Sequence, residues 1–142
     1  MIIIPCDNPT ELKMPLYLSK VSCGFPSPAD NYIESKLDLN EHLVQHPAAT
    51  FFVRVEGQSM IEDGIYEGDL LIVDKSLKPV DGSIIIVAID GELTVKKLKI
   101  KNNEGYLTPS NPNYKTIKVN ENQELHCWGV VTYAIHKFKA HK

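Results

Sequence analysis

A serine hydroxyl is a poor nucleophile until a base takes its proton, and a lysine held neutral can be that base. Two stretches of this chain supply the parts. The first, Val55-Glu56-Gly57-Gln58-Ser59-Met60, leads on to Gly64 and to Gly68-Asp69-Leu70-Leu71-Ile72-Val73-Asp74, and it sets Ser59 just after a β-rich run. The second, Asp90-Gly91-Glu92-Leu93-Thr94-Val95-Lys96-Lys97-Leu98, sets a lysine pair inside a strand pattern. A free lysine has a pKa of about 10.4, so only a fraction on the order of 10⁻³ is neutral at pH 7. Burial disfavours the ammonium form and lowers that pKa. If residues 93–100 form a strand, Thr94, Lys96, Leu98 and Ile100 share one face, and Val95, Lys97 and Lys99 share the other. Lys96 then sits among apolar and β-branched neighbours, while Lys97 and Lys99 reach water. Ser59 is therefore the candidate nucleophile and Lys96 the candidate base, and Lys97→Ala is expected to leave most activity. On residue type alone, a turn serine and a solvated lysine explain the same letters.

These residues need a scaffold, and the chain from residue 50 onward reads as β. Branched and aromatic residues concentrate in 50–55, 70–74, 83–89, 93–100, 105–109, 117–119 and 126–138. Asp81-Gly82 and Asp90-Gly91 read as hairpin-type turns, and Asn102-Asn103-Glu104-Gly105 as another. The fold class is thus mainly β: a compact, strongly bent domain of short strands, with an extended N-terminal arm and one or two short helices. The arm, residues 1–28, carries Pro5, Pro15, Pro26 and Pro28 and has no clear period. Its scattered apolar residues, Ile2 to Ile4, Leu12, Met14, Leu16, Tyr17 and Leu18, suit a segment that packs on something. Residues 29–142 form the second part. Ser27-Pro28-Ala29-Asp30 reads as a helix start, with Ser27 as N-cap and Tyr32, Ile33 and Leu37 on one face. Asp38 restarts a second short helix holding Leu39, Leu43 and Val44, which ends before Pro47.

Composition narrows the function classes. The chain has 142 residues, enough for one domain with a real core. A net charge of −3 gives no support for sequence-specific DNA binding through a broad basic surface. Three cysteines, Cys6, Cys23 and Cys127, at irregular spacing argue against a disulfide framework and fit a reducing cytoplasm. The five histidines, His42, His46, His126, His136 and His141, form no zinc pattern and read as surface or satisfied residues. No metal and no cofactor is expected. Residues 1–5 are too short for a signal segment, and no apolar run approaches the roughly 20 residues of a membrane span. That counts against type I signal peptidase, a membrane-anchored user of the same dyad.

The Gly57-x-Ser59-Met60 motif, the run Gly68 to Asp74 and the run Asp90 to Leu98 resemble, in order and spacing, the LexA/UmuD family of Ser-Lys self-cleaving peptidases. The resemblance is nearest to its UmuD-like members. It extends back to Cys23-Gly24-Phe25-Pro26-Ser27-Pro28-Ala29 and forward to Gly129-Val130-Val131. It implies Ser59 as nucleophile, Lys96 as general base and Cys23–Gly24 as the scissile bond, with the backbone at Gln58 and Ser59 as the oxyanion site. Glycine after the cut suits a narrow site, because it lets backbones approach closely. The resemblance further implies a homodimer, stimulation by a RecA–single-stranded DNA filament, and a Y-family (UmuC-like) polymerase as client in the SOS DNA-damage response. Gln58 stands where an acidic residue is common, and Ser83 where aspartate usually follows the turn glycine; neither carries the dyad chemistry. Pro109-Ser110-Asn111-Pro112-Asn113-Tyr114 resembles a family loop and reads as a turn. Asp69 and Asp74 read as turn and strand-end residues. A LexA-like repressor would need a DNA-binding domain before the cut, and residues 1–23 show no helix-turn-helix pattern. A non-catalytic dimeric binding module is the other alternative, and the presence of both Ser59 and Lys96 argues against it.

Overall fold

The computed structural model describes residues 11–17, 23–24, 33–108, 117–119 and 125–139. The chain divides into two units, one of Pro5–Gln45 and one that runs from His46 to the C-terminus together with Met1–Ile4.

The first unit contains strands β1 (Lys13–Tyr17) and β2 (Ile33–Asp38), which pair antiparallel in a two-stranded sheet with Lys13 opposite Asp38 and Met14 opposite Leu37. Neither strand was legible in the sequence. Pro15 marks the region as arm, yet it is tolerated in β1 because both strands of a two-stranded sheet are edges, where proline is accommodated. Ile33 and Leu37 are spaced for a helix face, but the segment Ile33–Asp38 is β2. A helix of that length is marginal alone, and pairing with β1 overrides its local preference. Ser27, Pro28 and Asp30 lie outside the described residues. The second short helix is present as α1 (Leu39–Leu43), and Asp38 caps it by accepting a 3.0 Å hydrogen bond from the Asn40 N–H.

The second unit is a seven-stranded antiparallel sheet. Its strands are β3 (Thr50–Arg54), β4 (Leu70–Asp74), β5 (Ile84–Ile89), β6 (Glu92–Lys101), β7 (Glu104–Thr108), β8 (Ile117–Lys118) and β9 (Leu125–Ile135). The order across the sheet is β3-β4-β9-β5-β6-β7-β8. The expected strands all appear, and two of the three turns close hairpins as read. Asp90 and Gly91, both at positive φ, join β5 to β6; Asn102 and Asn103, also at positive φ, join β6 to β7. Asp81-Gly82 is a turn, but it does not close a hairpin, because β9 inserts between β4 and β5.

That insertion explains the apolar runs. β4 and β5 have neighbours on both sides, and their side chains feed both faces. Leu71 and Val73 of β4 and Ile86 of β5 join one core cluster with Phe51, Val55, Met60 and Ile65. Ile85 and Val87, alternating with Ile86 on β5, join a second cluster with Leu107 of β7. A strand buried on both faces reads as a continuous apolar run rather than an alternating one. β9 bends as it crosses the sheet. Its register shifts opposite Ile86/Val87 and again opposite Ile72/Val73, so Trp128 and Thr132 are each an extra residue against the partner strand. Trp128 and Val131 pack on the first cluster and Val130 on the second, while Tyr133 and Ile135 are exposed.

Gly129 sits at the tightest point of that crossing. A Cβ there would lie 2.8 Å from Val73 Cγ1 and 3.0 Å from the Asp74 carbonyl oxygen, and both neighbours belong to β4, which is paired on both sides. Gly129→Ala should therefore destabilise the domain by about 1–3 kcal/mol. Urea unfolding in a Ser59→Ala background, where self-cleavage cannot confuse the reading, checks it; an unchanged midpoint would show that β9 has slack at this point.

Candidate active site

Ser59 lies on the loop that joins β3 to β4. The loop is closed at its neck by backbone bonds: Gly68 N–H donates to the Val55 carbonyl and Val55 N–H to the Asp69 carbonyl, both at 2.9 Å. Arg54 adds a bond from Nη1 to the Gly68 carbonyl at 3.0 Å. Past the neck, Gly57 at φ 89° turns the chain, a conformation an L side chain would strain. A 3₁₀ turn, Ile61–Asp63, follows directly on Ser59-Met60. Asp63 and Ile65 donate to the Met60 carbonyl at 3.1 and 3.2 Å, and Gly64 donates to Ile61 at 3.1 Å. Met60 and Ile65 are buried in the first core cluster. The serine is therefore carried by a loop with a fixed neck, a hydrogen-bonded turn and two apolar anchors. Ser59 itself is half-buried, and Gln58 is exposed.

Lys96 lies mid-way along β6, opposite Ile85 of β5. It is 8% exposed, one of three buried polar or charged residues among those described. Burial lowers its pKa below the ordinary lysine value. The strand faces fall as the alternation requires: Val95 packs against the cluster that holds Met60, while Leu98 packs against the other.

Lys97 lies on the other face as read and is partly exposed, but it also has a partner that the strand pattern does not announce: its Nζ lies 2.9 Å from Asp63 Oδ1, with the two side chains 27% and 18% exposed. The cause is the loop, which brings its 3₁₀ turn over the Val95/Lys97 face of β6. Lys99 is exposed as expected. The structure thus ties the Ser59 loop to β6 through Asp63 and Lys97 and through the cluster shared by Met60 and Val95. Among the described residues it records no hydrogen bond between Ser59 and Lys96.

Cys23 and Gly24 are exposed at a bend, with Gly24 at φ 114°. They belong to the first unit. The loop Pro109 to Tyr114 lies outside the described residues, as does Cys6. Among the described residues no group of three or more His, Cys, Asp or Glu could hold a metal ion, and no helix is long and apolar enough to cross a membrane. A hollow of about 580 Å³ lined by Lys75, Leu93, His126 and Trp128, among others, contains neither Ser59 nor Lys96.

Two further pairs escaped the sequence. Asp69, 1% exposed, accepts from the Tyr66 N–H at 2.9 Å and lies 2.5 Å from His136 Nδ1. Asp74, 4% exposed, lies 2.6 Å from His46 Nδ1 and accepts from both the N–H and the hydroxyl of Ser76. Burial alone would raise the Asp74 pKa, but the bonds from Ser76 and His46 outweigh it and hold the carboxyl below its ordinary value. Asp69 follows the turn at Glu67-Gly68, just ahead of β4, and Asp74 is the last residue of β4, in line with their reading as turn and strand-end residues. Their histidine partners come from residues far away in sequence, and no local spacing announces them.

The Peptidase S24-like family model matches residues 15–132, a span that takes in Cys23, Gly24, Ser59 and Lys96. The chain is 45% identical to Protein SamA of Salmonella typhimurium over 140 residues, which is 99% of this chain and 97% of that protein. It is 42% identical to Protein MucA of Escherichia coli over 123 residues, 86% of this chain and 84% of that one. It is 37% identical to the LexA repressor of Shewanella denitrificans over 113 residues, 80% of this chain and 54% of the repressor.

The buried lysine has a measurable signature. Its folded pKa lies below the unfolded value, so its stabilising contribution is greatest above about pH 10.4 and is lost as pH falls through the folded value. Below that window the desolvated amine is a liability to the fold. In a Ser59→Ala background, Lys96→Met should raise the urea midpoint at pH 7, and the gain should shrink as pH climbs toward 10.4. A gain that stays constant with pH would mean that the amine is not desolvated.

Proposed function

The chain is a UmuD-like member of the S24-like peptidase family, and from that premise we propose that it is a self-cleaving serine peptidase acting in SOS mutagenesis. Ser59 is the nucleophile, Lys96 the general base, and the Cys23–Gly24 bond the substrate. The observation that carries this reading is Lys96: a lysine buried in the sheet with its pKa lowered by that burial, on the strand to which the Ser59 loop is anchored. A lysine in a sheet interior costs stability, and a site that needs a neutral amine gives that cost a purpose.

In this mechanism Lys96 Nζ takes the proton from Ser59 Oγ, which attacks the Cys23 carbonyl carbon. The backbone N–H groups at Gln58 and Ser59 receive the oxyanion. The C–N bond to Gly24 breaks and the amine leaves with the proton that Lys96 carried. Water then hydrolyses the Ser59 ester and frees the Cys23 carboxylate and the Ser59 hydroxyl. A RecA–single-stranded DNA filament stimulates the reaction, and the product 24–142 serves an error-prone Y-family polymerase. The chain acts as a homodimer, for which the exposed Tyr133 and Ile135 at the end of β9 offer apolar surface.

Incubation with the filament, followed by mass measurement, should yield fragments 1–23 and 24–142; an intact chain or a cut elsewhere contradicts the assignment. Ser59→Ala and Lys96→Ala should each reduce cleavage by several orders of magnitude, and cleavage without filament should speed up from neutral toward alkaline pH as Lys96 loses its proton. A flat profile excludes a lysine base. Cleavage in trans is tested by mixing a Ser59→Ala chain with a chain that keeps Ser59 but carries a resistant Cys23–Gly24 bond. In confirmed heterodimers the Ser59→Ala chain should lose its arm; if it never does, cleavage is confined to cis.

A further inference from the structure

The Lys97–Asp63 ion pair is the one charged tie between the Ser59 loop and β6 among the described ion pairs. It joins positions separated by 34 residues. Both ends sit beside the chemistry. Asp63 closes the 3₁₀ turn that begins after Ser59-Met60, and its own N–H returns to the Met60 carbonyl. Lys97 is next to Lys96 on a strand held by β5 on one side and β7 on the other, with Lys97 opposite both Ile84 and Thr108. The Thr108 hydroxyl donates to the Lys97 carbonyl at 3.3 Å, which fastens the backbone from which both lysines project. A pair this sheltered is screened by salt less than a surface bridge.

We propose that Lys97 and Asp63 are positioning residues for self-cleavage: their ion pair fixes the distance between the turn that carries Ser59 and the strand that carries Lys96. The inference rests on the Ser59–Lys96 reading. Neither residue touches the reacting atoms. A displacement of about 1 Å between nucleophile and base can cost on the order of a hundredfold in rate. The tie acts on that distance, so its conservative replacements should preserve rate while its removals should not.

Rates of release of fragment 1–23 from the full-length chain, read by mass, test this. Asp63→Asn and Lys97→Gln should each slow release by about tenfold or more, which reverses the expectation from strand alternation alone that loss of the Lys97 side chain leaves most activity. Lys97→Arg and Asp63→Glu, which keep the pair, should recover most of the rate. Lys99→Ala, which removes an exposed charge from the same face of β6, should cleave like the parent. Unfolding midpoints are measured on all of them. Parental rates in Asp63→Asn and Lys97→Gln overturn the inference and leave the dyad reading intact. If those two variants do not fold, the conservative pair decides, because folded but slow Lys97→Arg and Asp63→Glu chains also overturn it. A Ser59→Ala chain that still releases 1–23 brings down the dyad reading, and the positioning role with it.

Discussion

Keeping one amine out of water is the constraint on which this architecture turns. Desolvation of an ammonium group is unfavourable, and a lone lysine on a sheet normally snorkels to the surface. Lys96 is prevented from doing so by its place in the strand order. β6 is an interior strand, paired with β5 from Glu92 to Lys97 and with β7 from Lys97 to Lys101. Its neighbours on the same face, Ile85 and Leu98, belong to an apolar cluster with Val87 and Leu107. The lowered proton affinity of Lys96 is thus a product of sheet topology rather than of any charged partner; burial is its sole cause.

The same sheet meets the opposite demand at β4. Asp69 and Asp74 stand at the two approaches to a strand whose residues are almost wholly enclosed. Carboxylates so placed are tolerated only when their oxygens are engaged. Each receives a backbone N–H from a nearby residue and a histidine from afar: Tyr66 and His136 for Asp69, Ser76 and His46 for Asp74. These bonds fix the ends of β4. Because Asp69 also accepts from Val55 through its carbonyl, the first of them sets the neck of the Ser59 loop. The serine is therefore positioned from two directions, by the carboxylate network at its neck and by the Lys97–Asp63 pair at its turn.

What the sequence disclosed follows from the range of each interaction. The strands from β3 to β9, the Asp90-Gly91 and Asn102-Asn103 turns and the Asp38 cap are local patterns, and each was readable where it stood. The face of Lys96 followed from period two, because β6 is regular against β5. The same rule gave the side of Lys97 but not its partner Asp63. Alternation gives the side of a strand, but it cannot say that a loop from residues 55–69 will cover that side. β1 and β2 were missed for a related reason: a two-stranded sheet is specified by pairing across a gap, while Ile33 and Leu37 in isolation match a helical period. The histidine–aspartate pairs are non-local in the same sense.

The position of β1 and β2 bears on what a cut after Cys23 would do. The two strands lie on either side of the Cys23–Gly24 bond, so cleavage turns an intramolecular pairing into an association between separate chains. Two-stranded sheets are marginal in water even when their strands are tethered. β1 brings little to hold it, since Met14 and Leu16 remain exposed, as does the adjacent Leu12. Once untethered, β1 loses the high effective concentration its linker supplied, and β2 is left with an unpaired edge. An edge of that kind is a template for another strand. The seven-stranded sheet contains neither strand.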